Sequence, residues 1–182
     1  MRDCYLSESV IKASLKRLEP QFEEHSLHLS LRGSSIHLDG NEIYFRNFLR
    51  SLVNTAMDAV VGQNDKINRY LPDVRLSDIE NLVVETLRDY YLEIDDIRLS
   101  NMVVNIAICV QRYSFPIEDN AATDLMMGNQ SEMLCDQLLV GLRKLYPERP
   151  LSSADDVYLR SIVGATLGFG HGEFDHHSDS CD

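Results

Sequence analysis

Leu99–Pro116 reads LSNMVVNIAICVQRYSFP: two apolar runs, Met102–Val104 and Ile106–Val110, on either side of the single polar residue Asn105. Together they fall far short of the roughly 20 apolar residues that cross a bilayer, so the stretch predicts a helix of a folded domain, from Leu99 or Ser100 to about Tyr113. Pro116 closes it, because proline lacks the N–H that a further turn requires.

Four more helical patterns surround this one. Asn41-Glu42 leads into Ile43–Val61, with Phe45, Phe48, Leu49, Leu52 and Val53 on one stripe. Ser77 is expected to cap a helix to about Tyr91, with Ile79, Leu82, Val83, Thr86 and Leu87 inward. Gln130–Tyr146 repeats Met133, Leu134, Gln137, Leu138 and Leu142, and Pro147 stops it. Ser152-Ser153 opens the last, with Val157, Leu159, Ile162 and Val163 apolar. Residues 40–168 hold no convincing strand, so periodicity alone predicts a mainly α protein with a five-helix bundle here.

Residues 1–39 differ. Ser7 sits where a helix N-cap would, followed by Val10, Ile11, Leu15 and Leu18 at helical spacing, and Pro20 should end or kink that helix near Leu18–Glu19. Leu27–Leu31 then alternates, Arg32–Ser35 supplies turn chemistry, and Ile36-His37-Leu38 alternates again, which predicts a small hairpin. A helix followed by a hairpin is the C-terminal part of a winged helix-turn-helix. Only six residues precede Ser7, so the chain is expected to be truncated. Residues 169–182, rich in Gly, His, Asp and Ser without apolar periodicity, are expected to be a disordered tail.

Composition narrows the function classes. The 182 residues carry 17 Lys+Arg against 29 Asp+Glu, a net charge of −12, and 44% are hydrophobic. Most of that acidity lies in residues 40–168, so nucleic acid could be met only locally. The start of the chain has no apolar signal region, and the four cysteines form no CxxC pair. Cys109 and Cys135 lie in apolar helical patterns and read as reduced core thiols of a cytoplasmic protein.

Three motifs resemble bacterial transcriptional regulators that carry a PTS regulation domain, the antiterminator and activator family that includes mannitol- and mannose-type regulators. Ser7-x-x-Val10-Ile11-x-x-x-Leu15-x-x-Leu18 resembles their DNA-binding recognition helix. Gly33-x-x-Ile36-x-Leu38-x-Gly40-x-Glu42-x-x-x-Arg46 resembles the wing and the joint into the regulation domain, making Gly40, Glu42 and Arg46 the domain joint. Asn101-x-x-x-Asn105-x-Ala107-Ile108-x-x-x-Arg112 resembles the central helix of that domain. The resemblance spans residues 6–168. It implies transcription regulation of a carbohydrate phosphotransferase operon, a homodimer of five-helix domains, and phosphotransferase proteins as partners that phosphorylate histidines. It further implies a reader at residues 1–39 that meets DNA through Ser7, Ser9, Lys12, Lys16 and Arg17. The RNA-binding antiterminators of the family use an all-strand reader instead, which disfavours RNA.

The family's two phosphoacceptor positions correspond to Asn105 and, in the last helix, Ile162, with Asn101 and Arg112 in support. Neither position holds a histidine, and none exists between His37 and His171. An amide cannot accept a phosphoryl group as an imidazole does, so phosphorylation at these sites is excluded by chemistry. Asn105 is then either a vestigial regulatory position or an interhelical hydrogen-bonding asparagine at a seam. Arg112 is either the family arginine or a surface ion pair of little weight. The other class of function that fits the acidity is an interaction or dimerisation module that binds a basic protein and no DNA.

The remaining candidates are bland. His28 and His37 could face each other across the hairpin near His25, but no third ligand accompanies them, so no metal site is expected. The tail's His171, Asp175, His176, His177 and Cys181 lack a scaffold that would fix a geometry. Asp95-Asp96 and Asp155-Asp156 stand before helices, where the dipole favours negative charge. No phosphate-cradling glycine loop, G-x-S-x-G or H-E-x-x-H occurs, and neither an enzyme nor a cofactor is expected.

Overall fold

The computed structural model describes residues 7–33, 35–58, 69–115, 117 and 129–168. Six helices and one hairpin occupy them: α1 (Glu8–Glu23), β1 (His28–Arg32), β2 (Ser35–Asp39), α2 (Glu42–Asp58), α3 (Leu76–Asp89), α4 (Asp96–Gln111), α5 (Asn129–Leu145) and α6 (Ser153–Leu167). The protein is thus mainly helical with a two-stranded antiparallel sheet. The expected tail, 169–182, lies outside the described residues.

α4 is the axis of the helical part. It packs against α2, α3 and α6, while α5 bridges α3 and α6. Enclosure on several sides explains why nine consecutive residues, Met102 to Val110, are buried, Asn105 among them. One apolar cluster joins Leu49 and Val53 of α2, Ile79 and Val83 of α3, Leu134 and Leu138 of α5, and Leu159 and Val163 of α6 to this helix.

Several local expectations need correction. α1 continues through Pro20 to Glu23. Pro20 removes a single donor on an exposed face, and its own carbonyl still accepts from the Glu24 amide at 3.1 Å. Ser77 does not cap α3; Arg75 stands at the N-cap without a side-chain bond. α4 begins earlier than expected because the Asp95 carboxylate accepts from the Arg98 amide at 2.8 Å. Met133 and Val157 face solvent instead of the core, and so do Val10 and Leu18 of α1. The expected Ser152 cap is present, in a reciprocal box with Asp155.

The hairpin pairs Leu29 with Leu38 and Leu31 with Ile36 on one face, and Ser30 with His37 and His28 with Asp39 on the other. His28 and His37 are therefore diagonal, each opposite a different residue. α1 packs on β1, and ring contacts of Phe22 (tilted, centroids 4.7 Å apart) and His25 (edge-on, 5.1 Å) with Phe48 tie this unit to α2. Gly40 makes the joint tight. Its φ is +156°, and a Cβ there would lie 2.6 Å from Leu27 Cδ2 and 3.2 Å from the Ser26 carbonyl. One residue on, the Asn41 side chain caps α2 by accepting from the Ile43 amide at 2.9 Å. Gly40→Ala should therefore lower stability by about 1–3 kcal/mol, through overpacking and an unfavourable φ, as measured by urea denaturation.

Candidate functional site

Glu42 and Arg46, expected at the domain joint, meet Arg112 in one buried ionic cluster. Arg46 is 1% exposed, and all three guanidinium nitrogens have partners. Nε donates to Glu42 Oε1 at 2.9 Å, and Nη1 lies 2.8 Å from Asp155 Oδ1 and 3.3 Å from Cys109 Sγ. Nη2 donates to the Arg112 and Phe115 carbonyls at 3.4 and 3.3 Å. Arg112 in turn grips Glu42 with two bonds, Nε to Oε1 at 2.9 Å and Nη2 to Oε2 at 2.5 Å, and lies between the rings of Phe45 and Phe115. The surface-pair alternative for Arg112 is thus corrected: its side chain is largely buried and its bond is the planar fork that arginine forms best.

Asp155 divides its oxygens. Oδ2 accepts from the Ser152 amide and hydroxyl, at 3.0 and 2.8 Å, and closes the cap of α6, while Oδ1 faces Arg46. Two cations thus balance two anions, with Arg46 and Asp155 fully buried and Glu42 and Arg112 at the edge of the cluster. Burial works against the charge of Arg46, and Cys109, Glu42 and Asp155 overcome it, so the guanidinium titrates above its ordinary value. Burial also drives the Cys109 thiol well above its usual range, and that of Cys135 up to about 11, so both remain neutral and poor nucleophiles at physiological pH.

Farther along the same three helices opens a cleft of about 730 Å³ lined by residues of α2, α4 and α6, with Gly168 at its edge. Asn105 and Ile162, the expected regulatory positions, and Asn101, expected in support, all line it. Arg112, expected beside them, does not, because it leaves the helix at the C-cap and turns to Glu42. Asn105 is 9% exposed and donates to the Asn101 carbonyl at 2.8 Å, so its amide bonds within α4. The crossing bond is made instead by Asn101, which accepts from Asn54 of α2 at 3.4 Å. Sequence reasoning did not single out the cleft's Arg50 and Arg98; their signal, a cation on each of two helices, emerges only once the helices are placed.

On α1, Ser7, Ser9, Lys12, Lys16 and Arg17 are exposed. Ser7 caps the helix by accepting from the Val10 amide, and its hydroxyl lies 2.9 Å from that of Ser9. Among the described residues no three His, Cys, Asp or Glu side chains converge as metal ligands, and no helix is long and apolar enough to cross a membrane. The tail's His171, His176, His177, Asp175 and Cys181 lie outside the described residues.

Comparison with protein-family models, with curated proteins and with solved structures yields no match. Assignment therefore depends on the cluster and the cleft themselves. Asp155→Ala, which removes both a helix cap and the partner of a buried cation, should cost about 3–5 kcal/mol in urea denaturation. Arg143→Ala, which breaks the outer pair of Arg143 with Asp156, should cost no more than about 0.5 kcal/mol, because solvent screens it.

Proposed function

We propose that the chain is the regulatory module of a bacterial transcription regulator of the PTS-regulation-domain type, serving a carbohydrate phosphotransferase operon through self-pairing of its helical domain. The observation that supports this reading is that Asn105 and Ile162, on helices far apart in sequence, line one cleft together with Asn101. One set of neighbouring side chains thus surrounds both positions at which the resembled family carries its histidines. Further support comes from Glu42, Arg46 and Arg112, drawn from two separate motifs and joined in one cluster.

In such a switch a phosphoryl group adds nearly two negative charges and biases a two-state interface. Asn105 and Ile162 cannot carry that group, so this module holds one arrangement at those positions and takes no phosphotransfer signal there. The exposed cations of α1 would meet phosphates of DNA, while Ser7 and Ser9 lie at the helix start that enters the groove. A recognition helix needs a second helix across the backbone to orient it, so DNA binding is proposed for the module joined to such a helix. The second reading, an interaction module without nucleic-acid function, is favoured by the net charge of −12, which suits a basic protein partner.

Light scattering over a wide concentration range tests the proposal. A dimer near twice 20.8 kDa is expected, and a monomer at every concentration would contradict it. Gel-shift titration then separates the two readings: a DNA reader loses affinity steeply with salt, whereas an interaction module binds no DNA at any salt.

A further inference from the structure

We infer that the α2–α4–α6 cleft is a binding site for a small phosphate monoester bearing hydroxyl groups. This rests on the lining of the cleft and is independent of the transcriptional reading. In a chain with 29 Asp+Glu against 17 Lys+Arg, the described residues of the lining include two arginines, Arg50 and Arg98, and no carboxylate. An acidic protein ordinarily neutralises its arginines with neighbouring acids, as it does at Arg143, Arg149 and Arg160 here. Among the described arginines that pair with no described acid, Arg17, Arg69 and Arg88 are exposed and Arg50 is not. It is half-buried, it makes no hydrogen bond or ion pair with any described residue, and its charge is felt by the Tyr158 hydroxyl across the cleft. Asn47, one turn earlier on the same face of α2, is also half-buried with no side-chain partner among the described residues. Arg98 does pair with Asp95, through Nε at 3.2 Å.

The remaining polar groups divide by what they can still offer. Ser161 and Thr166 donate their hydroxyl protons to the Tyr158 and Ile162 carbonyls at 2.7 and 2.8 Å, so toward the cleft they act only as acceptors. Asn105 spends one N–H of its amide on the Asn101 carbonyl, which leaves a second N–H to donate and its oxygen to accept. The cleft therefore presents two sets of groups: cationic donors on α2 and α4, and neutral amides and hydroxyls on the three helices, the amides able to donate or accept and the Ser161 and Thr166 hydroxyls to accept. An anion alone would satisfy only the first set. A molecule with a phosphate at one end and hydroxyl groups at the other satisfies both. About 730 Å³ is far more room than inorganic phosphate fills and falls within the range of small-molecule sites. A guanidinium fork matches a phosphate dianion, and a partly dehydrated one binds it more strongly than in bulk water.

Calorimetric titration of the full chain with glucose 6-phosphate, inorganic phosphate and glucose tests this. Saturable binding of glucose 6-phosphate is expected, at least about tenfold tighter than inorganic phosphate and with no detectable binding of glucose. Arg50→Gln should weaken it by at least about tenfold, and Asn101→Asp, which places a carboxylate in the cleft, by as much or more. Arg88→Gln, on the exposed end of α3 away from the cleft, should leave it unchanged, and circular dichroism confirms that each variant is folded. The proposal is overturned by no saturable binding up to about 10 mM, by equal binding of inorganic phosphate, or by affinity that Arg50→Gln and Asn101→Asp leave unaltered.

Discussion

Arg46 is the constraint around which the other helices are arranged. A guanidinium cannot be deprotonated in a protein, so placing it in the core obliges the fold to surround it with acceptors. Three elements supply them: Glu42 one turn earlier in α2, Asp155 in the first turn of α6, and the carbonyls of Arg112 and Phe115 after α4. Each ion also suits its own helix. Glu42 and Asp155 stand at the positive N-terminal ends of α2 and α6, and Arg112 stands at the negative C-terminal end of α4. The cluster thus sets α4 antiparallel to both neighbours.

A buried ion network of this kind adds little net stability, because desolvation offsets much of the Coulomb gain. Its contribution is orientation. Apolar side chains of similar volume could fill the same space in several ways, whereas a planar fork with fixed acceptors permits one. Asp155 makes the coupling tight, since the carboxylate that pairs with Arg46 also caps α6. Farther along, beyond this cluster, α2, α4 and α6 line the polar cleft. Cluster and cleft are two consequences of one helix arrangement.

Much of this was legible in the sequence. The five helical segments of residues 40–168, the hairpin and the Ser152 cap follow from periodicity and cap chemistry, which act over a few residues. Motif spacing marks Glu42, Arg46 and Arg112 but does not reveal that they touch, since their meeting is tertiary. Asp155 reads from the sequence only as a dipole partner, because an acid at a helix start has that ordinary explanation. Pro20 misled because one missing hydrogen bond on an exposed helix face is affordable, and Met133 because apolar residues also occupy surface positions. Arg50 and Arg98 carried no signal at all until two helices brought them to one cleft.

Hydrogen exchange on the native protein and on Asp155→Asn tests most directly whether the cluster orients these helices. Asparagine keeps the size of the side chain and an oxygen for the cap but removes the charge opposite Arg46. The account predicts that amides of α2, α4 and α6 lose protection together, while α3 and α5 change far less. Loss confined to the first turn of α6, or unchanged protection throughout, would contradict it.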